Sequence, residues 1–486
     1  MISQYTEYAS NWHSIFGDVN PAYPTVHSWE RFSGNYLENF HITLPMEIED
    51  SPLLKEIGFH TTDELFEDVP QKVRKKELKI PKGISEFELT SLSEKISFMN
   101  RAFEHNFLGN GIYDRIIPSS VDSIIGRSEF LTSYTPYQAE MSQGMLQSLF
   151  EFQSIISDLT GMDVTNSSMY DGFTALGEAA RMAYRINEGP EILVPETMNR
   201  SKLSVLKSYL TGLNIRIVPY GISPTDGTID LESLQGKVKE NTSAIIAEEP
   251  SSLGNIDSNV AKISEIKRKA LLITYYDPIS LGVLKPPGEI GSDINVMEGQ
   301  QLGLHRNLGG PLLGILSFRN EFARKSPGRI IGESNDTHGK RAFVMTLQTR
   351  EQHIRRSKAM SNICTNQALF ALAATAYLGI MGPSGLRKIA LKTMENSQKL
   401  IKMISRSKAL KREIEGVPFS DVLLKYSGNG DLQKKLADSG IAGGLSVEKL
   451  IENPHRQLRG SIFLSVTEKT RTESLESLAK SLEAVQ

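Results

Sequence analysis

The sequence of 486 residues lacks the features that mark several common classes of protein. Its single cysteine, Cys364, excludes an internal disulfide and is typical of a reducing compartment. The net charge of −3 predicts no general attraction to nucleic acid. The amino-terminal residues lack the basic and apolar regions of a secretory signal. We therefore expect a cytoplasmic protein that binds no nucleic acid.

Motifs for metal, phosphate and nucleophile chemistry are absent as well. The nine histidines show no His-x-x-x-His spacing, so we expect no bound metal. The sequence contains neither a Gly-Lys-Ser/Thr phosphate loop nor a Gly-x-Ser-x-Gly nucleophile elbow. The most apolar run, 368–381, is too short to span a bilayer, which predicts a buried helix and no membrane partner.

Short apolar strands alternate with helical patterns in the middle of the chain. Strands separated by helices form a mostly parallel sheet with both faces covered, which predicts an α/β fold. Ligands of such sheets lie at the carboxyl ends of the strands, and Asp277 is at one of those ends. The predicted strands are 192–196, 215–220, 243–250, 270–278, 293–298 and 312–318.

Two helical patterns flank a polar segment in the stretch 130–186. Apolar residues recur every three or four positions from 141 to 159, and Gly161 follows where a helix C-cap belongs. The segment 167–172 is rich in small polar residues and precedes the second helix. Such a helix start caps the helix or binds an anion, and capping is the favoured interpretation from the pattern alone.

Composition divides the chain into four predicted regions. Residues 1–42 form an extension with nine aromatic residues, which predicts packing against the rest of the protein. Residues 43–130 form a helical amino-terminal region. A large α/β domain follows over 131–383, and a smaller α+β domain over 384–486.

Several segments have sequences distinctive enough to compare with known families. They are YTPYQAEMSQG (134–144), LFEFQSIISDLTGMDVTNSSMYDGFTALGEAA (149–180), EGQQLG (298–303), GGPLLG (309–314), PGRIIGE (327–333) and LQTREQHIRRSKAMSNICTNQAL (347–369). In these segments the chain resembles the glycine dehydrogenase (decarboxylating) family, the P-protein of the glycine cleavage system. The resemblance is to subunit 1, the amino-terminal type in organisms that split the protein. It implies a fold type I pyridoxal-phosphate-dependent transferase-like fold with flanking helices and a smaller C-terminal α+β domain.

The family's chemistry requires a lysine that this chain lacks. In the catalytic subunit a lysine forms a Schiff base with pyridoxal phosphate. No lysine occurs here between Lys285 and Lys325, and alignment on Asp293 puts Gln301 near that position. An amide cannot form an imine. The resemblance therefore implies a non-catalytic subunit that binds no cofactor and is inactive in isolation.

The same resemblance implies the partners. The implied complex is an α2β2 heterotetramer with glycine dehydrogenase subunit 2, which holds the pyridoxal phosphate. The complex decarboxylates glycine and transfers the aminomethyl group to the lipoyl group of the H-protein. The alternative is a purely structural scaffold that contributes no residues to the partner's active site.

Candidate site residues follow from the resemblance, and none is expected to be catalytic. Vestigial cofactor-binding candidates are Ser168, Thr174 and Asp277, of which Asp277 is expected to make structural hydrogen bonds. Possible shared-site or interface residues are Tyr134, Thr135, Tyr137, Gln138, Arg350, Arg355 and Arg356. The segment LGNGIYDRIIP differs from the family's usual sequence at Asn110, Ile112, Arg115 and Ile116. If this loop borders the shared site, these differences affect substrate access.

Overall fold

The computed structural model describes residues 52–74, 80–81, 83–307, 309–347, 352–356, 359–361, 363, 365–412, 414–428 and 430–483. The extension 1–42, Arg350 and Cys364 lie outside these residues. The chain divides into two compact units after Asn100. The predicted domain limits at 130 and 383 stay predictions.

The described part of the first unit is helical. Its α-helices are α1 (Pro52–Glu56) and α2 (Glu86–Met99), with 3₁₀ turns at Thr62–Phe66 and Gln71–Val73. The sequence predicts a capping box at the start of α2, and the structure confirms it: Ser85 Oγ accepts from the Glu88 amide, and the Glu88 carboxylate accepts from the Ser85 amide.

The second unit contains strands and helices in alternation. Its strands are β1 (His105–Asn106), β2 (Val164–Thr165), β3 (Glu191–Pro195), β4 (Arg216–Tyr220), β5 (Thr242–Glu249), β6 (Leu271–Tyr276), β7 (Ile294–Glu298), β8 (Gly314–Phe318), β9 (Ile330–Asn335), β10 (Arg341–Thr346), β11 (Leu410–Lys411), β12 (Asp421–Tyr426), β13 (Ile441–Ala442), β14 (Leu445–Ser446) and β15 (Ser461–Ser465). Its α-helices are α3 (Ser119–Ile125), α4 (Ser128–Leu131), α5 (Gln143–Thr160), α6 (Gly172–Asn187), α7 (Arg200–Leu210), α8 (Leu231–Lys237), α9 (Ile263–Ile266), α10 (Gln352–Arg355), α11 (Ala368–Ile404), α12 (Leu432–Asp438), α13 (Val447–Leu450) and α14 (Thr472–Glu483).

A seven-stranded sheet forms the centre of this unit, in the order β2-β8-β7-β6-β5-β3-β4. The strands from β7 to β4 pair in parallel, whereas β8 pairs antiparallel with both β7 and β2. The mostly parallel α/β fold predicted from the alternating pattern is thus confirmed. Because parallel strands end at one edge, the residues that follow β5, β6 and β7 lie close together.

Both faces of the sheet are buried, and alternate strand residues point to opposite faces. Ile245, Leu272 and Met297 belong to one core with helices α5 and α11. Ile246 and Ile273 belong to the other core with helix α6. This burial on both sides explains why the strands read as continuous apolar runs.

Helices α5 and α11 cover one face of the sheet. Helix α5 ends at Gly161, whose φ of 64° is the left-handed C-cap that the sequence predicts. Helix α11 is kinked at Gly382, which has φ 58° and ψ 179° ahead of Pro383. By length and composition α11 could cross a membrane, but Ala371, Ala374 and Tyr377 in its first half are buried in the core.

The C-terminal residues form a four-stranded antiparallel sheet in the order β11-β12-β15-β14. Leu424 and Leu464 of this sheet pack with Leu400 of α11 and Leu478 of α14. The sheet brings the start of β12 and the segment after β15 to the cleft at the carboxyl ends of the central strands.

Candidate functional site

A small cavity lies where the central strands end. It holds about 90 Å³ and is lined by residues after β5, β6 and β7, by the loop before α3 and by the start of β12. Asp277 follows β6, and Gln301 lies in the 3₁₀ turn after β7 (Gly299–Gln301). This is the place where the fold predicts a ligand site.

Asp277 and Gln301 are bonded to each other. Gln301 Nε2 donates to Asp277 Oδ2 at 2.8 Å, and Gln301 Oε1 accepts from Arg115 Nε at 2.8 Å. The other oxygen of Asp277 accepts from the backbone amides of Ile279 and Ser280. The structure therefore places the two predicted residues, Asp277 and Gln301, in contact. It adds Arg115, which the sequence analysis identified only as a difference from the family's usual sequence.

The Arg115 guanidinium is fully buried and has a partner on each side. Nη1 donates to Glu468 Oε2 at 2.8 Å and to Thr393 Oγ1 at 2.9 Å, and Nη2 donates to Ser420 Oγ at 3.2 Å. Burial alone would lower the pKa of Arg115, but the charges of Glu468 and Asp277 outweigh it and raise that pKa. Arg115 thus joins the central sheet, helix α11 and the C-terminal sheet through charge-assisted hydrogen bonds.

The loop before α3, which carries Arg115, also forms hydrogen bonds to Asp421. The Tyr113 hydroxyl donates to Asp421 Oδ2 at 2.6 Å, and the Asn110 amide donates to Asp421 Oδ1 at 3.3 Å. Ser465 also donates to Asp421. Burial raises the pKa of the Asp421 carboxyl. The loop that carries Asn110 and Tyr113 is therefore fixed against the C-terminal sheet.

The start of helix α6 is occupied by carboxylates of the chain itself. Asp171 Oδ1 accepts from the amides of Phe173 at 2.8 Å and Thr174 at 2.9 Å. Glu298 Oε2 accepts from the Gly172 amide at 2.9 Å, and burial raises the pKa of Glu298 to about 7. These amides are the donors that would otherwise bind an anion.

The two predicted hydroxyl candidates are bonded inside the chain. Ser168 Oγ accepts from the Gln367 amide at 3.0 Å. Thr174 Oγ1 donates to the Asp171 carbonyl at 3.1 Å. A side chain at Gly172 would come within 2.5 Å of the Tyr275 hydroxyl, so only glycine fits there.

These residues do not fit pyridoxal phosphate. The carboxylate that would face a pyridine nitrogen is bonded to Gln301, and the helix start is filled by Asp171 and Glu298. The cavity of about 90 Å³ is also far below the roughly 300–1,000 Å³ of pockets for ligands of cofactor size.

The predicted interface residues lie elsewhere on the surface. Tyr134 is 73% exposed and Tyr137 is 53% exposed, in the loop between α4 and α5. Gln138 is exposed and Thr135 half-buried. The Tyr137 hydroxyl accepts from Arg329 Nη2 at 2.7 Å, and that guanidinium lies 4.9 Å from the centre of the Tyr137 ring.

The predicted arginines are only partly described. Arg355 at the end of α10 and the following Arg356 are exposed. Arg356 has φ 50°. Arg350 lies outside the described residues.

One buried pair at the cavity was not predicted. Lys202 of α7 forms an ion pair with Glu248 of β5, and its ammonium lies 3.6 Å from the centre of the Tyr275 ring. The three residues are far apart in sequence, so no local pattern indicates the contact. The sequence predicts only the strands that carry Glu248 and Tyr275.

Comparisons with known proteins agree on one family. A sequence model described as "Glycine cleavage system P-protein" matches residues 40–482. A Thermoplasma acidophilum protein named "Probable glycine dehydrogenase (decarboxylating) subunit 1" is 54% identical over 433 residues, 89% of this chain and 99% of that protein. A protein of the same name from Pyrococcus furiosus is 42% identical over 452 residues, 91% of this chain and 99% of that protein.

Solved structures agree with this assignment. A crystal structure of glycine decarboxylase (P-protein) of the glycine cleavage system, in inhibitor-bound form, has a TM-score of 0.82 and 33% identity, covering 89% of this chain and 97% of that chain. A cysteine desulfurase from Thermococcus onnurineus has a TM-score of 0.60 at 15% identity, covering 84% of this chain and 99% of that chain, and supports the fold alone. The chain therefore has the fold type I architecture and belongs to the glycine cleavage system P-protein family.

Proposed function

We propose that this chain is the non-catalytic subunit of a glycine decarboxylase whose pyridoxal phosphate is bound by a homologous subunit 2. The observation that carries the proposal is the hydrogen bond from Gln301 to Asp277. It engages the carboxylate that a cofactor ring would need, and its donor is an amide near the position that alignment on Asp293 assigns to the lysine. The relatives' shared name, subunit 1, supports a second subunit.

The proposed complex is a cytoplasmic α2β2 heterotetramer. It decarboxylates glycine and transfers the aminomethyl group to the lipoyl group of the H-protein. The relatives' name, glycine dehydrogenase (decarboxylating), supports glycine as the substrate. Residues of this chain take no covalent part in that reaction, and their contribution is to hold the partner's site in shape.

The exposed loop before α5 is the proposed place of that contribution. Tyr134 and Gln138 present a hydroxyl and an amide group from a segment held at both ends by helices. Polar groups of this kind need partners once they are buried at an interface. The alternative, a scaffold with no group near the partner's site, predicts that these side chains affect assembly and leave turnover unchanged.

Co-purification with subunit 2 and a glycine–bicarbonate exchange assay test the proposal. We expect activity from the complex and none from the isolated chain. Exchange activity from the isolated chain supplied with pyridoxal phosphate would contradict it.

A further inference from the structure

The second half of helix α11 carries a line of basic side chains on its exposed surface. They are Lys388, Lys392, Lys399 and Lys402, with Arg406 just beyond the end of the helix. Successive members are three, four or seven positions apart, so they lie on one face of the helix. At 1.5 Å per residue the four lysines extend over about 21 Å. These five residues are called the basic stripe below.

Most of the charge of the basic stripe is not neutralised by the chain itself. Lys388, Lys402 and Arg406 are exposed and form no ion pair within the residues that the structure describes. Glu395 is the one carboxylate in the line, and it accepts from the two remaining lysines at 3.0 Å and 2.5 Å. The stripe together with this carboxylate therefore has a net charge of +4.

The sequence around the stripe concentrates positive charge further. Residues 387–412 contain nine lysines and arginines and one acidic residue, a net charge of +8. The whole chain has a net charge of −3, so the residues outside this segment carry −11. A basic face on an otherwise acidic chain attracts an acidic partner to one defined place.

The same features argue against a membrane or a nucleic acid as the partner. A basic amphipathic helix binds a membrane by burying its apolar face in the lipid. The apolar side of α11 is instead buried in the protein, at Ile389, Ala390, Leu400 and Ile404. A long nucleic acid would extend past the stripe, where the negative charge of the rest of the chain repels its phosphates. A compact acidic protein surface needs to meet only the stripe.

We propose that the basic stripe binds an acidic protein, one that presents Asp and Glu side chains along a helix. Glu395 shows how such a carboxylate fits, because it lies between two lysines of the stripe and accepts from both. Carboxylates of the partner take the same place beside Lys388, Lys402 and Arg406. Exposed ion pairs are individually weak and are screened by salt, so the partner binds reversibly and leaves readily.

This proposal goes beyond the non-catalytic role and does not depend on it. The probe is a fluorescein-labelled helical peptide of about 20 residues with glutamate at every third or fourth position, long enough to form a helix. The control peptide has glutamine in place of glutamate. Fluorescence anisotropy measures binding to the purified full chain and to its complex with subunit 2.

We expect the glutamate peptide to bind both samples and the glutamine peptide to bind neither. Raising the salt from about 50 mM to about 500 mM should weaken binding at least about tenfold, because the screening length becomes shorter than the distances between exposed charges.

Charge reversal then locates the site on the chain. The triple variant Lys388→Glu, Lys402→Glu and Arg406→Glu should weaken binding of the glutamate peptide at least about tenfold. The matched control reverses three exposed basic residues outside the stripe, so it changes the net charge equally, and it should bind as the unmodified chain does. These residues are Lys262, Lys285 and Arg324. If the triple variant does not fold by circular dichroism, substitution of the same three stripe residues by glutamine makes the same test.

Several results would overturn the proposal. Equal binding of the glutamine peptide, unchanged affinity in the stripe variant, or equal loss in the control variant would show that the stripe is not the site. Loss of peptide binding in the complex would show that subunit 2 covers the stripe. Tighter binding of a short DNA duplex or of phosphatidylserine vesicles than of the glutamate peptide would assign the stripe to a different class of partner.

Discussion

Gln301 Nε2 donates a 2.8 Å hydrogen bond to Asp277 Oδ2, and both residues lie at the carboxyl ends of neighbouring parallel strands. Asp277 lies at a strand end, where this fold places ligands, but its carboxylate is hydrogen-bonded inside the chain. Arg115 completes the arrangement from a different loop. The cleft that binds a ligand in other proteins of this fold class is here a hydrogen-bonded connection between two sheets.

Restoring the lysine should not restore cofactor binding. We expect Gln301→Lys, incubated with pyridoxal phosphate and reduced with borohydride, to carry no pyridoxyl group at residue 301. Asp171 and Glu298 still occupy the start of α6, and the Arg115 guanidinium still lies beside residue 301. Peptide mass spectrometry measures this directly. A pyridoxyl-lysine at 301 would show that the single amide was the whole obstacle.

Arg115 should be a major source of stability. We expect Arg115→Met to lower the free energy of unfolding by about 3–5 kcal/mol, because it leaves the carboxylate of Glu468 buried without its partner. Urea unfolding followed by circular dichroism measures the change. Arg127→Met is the matched control, since Arg127 pairs with Glu129 on the surface, and it should change little. Equal stability of the two variants would contradict the structural role.

Glu298 should make stability fall as pH rises. Burial raises its pKa from 4.5 to about 7, so the folded chain holds a proton that the unfolded chain releases. Its contribution is complete below pH 4.5 and is lost between pH 4.5 and 7. At about 1.4 kcal/mol per pH unit, the loss is about 3 kcal/mol. Glu298→Gln should flatten this part of the curve of unfolding free energy against pH, and an unchanged slope would contradict it.

A substitution in the exposed loop before α5 distinguishes the two hypotheses for this chain, a shared active site and a pure scaffold. We expect Gln138→Ala to lower glycine–bicarbonate exchange by the complex about 5- to 150-fold, the effect of one hydrogen bond made in the transition state. Gel filtration should show an unchanged complex. Gln147→Ala, an exposed amide on α5, is the matched control. Full activity of Gln138→Ala in an intact complex would support the scaffold alternative.

Local patterns predicted the fold better than the site. The strand series and the Gly161 cap could be predicted because periodicity and capping depend on adjacent residues. The absence of lysine near Gln301 is equally local. The buried pair of Arg115 and Glu468 joins segments more than three hundred residues apart, so no spacing rule indicates it.

At the start of helix α6, too, the sequence predicted local contacts but not a contact between distant residues. The polar segment before α6 correctly indicated a cap, and Asp171 provides it. The second carboxylate at that helix start is Glu298, from the end of a strand far along the chain. Its position depends on how the strand and the helix pack, which composition alone does not determine.

The most direct test of the central claim is to locate the cofactor in the assembled complex. The complex of this chain with subunit 2 is reduced with borohydride, and the peptides of both subunits are analysed by mass spectrometry. We expect a pyridoxyl-lysine in subunit 2 and none in this chain. A pyridoxyl-lysine at any position of this chain, in stoichiometric amount, would contradict the non-catalytic assignment.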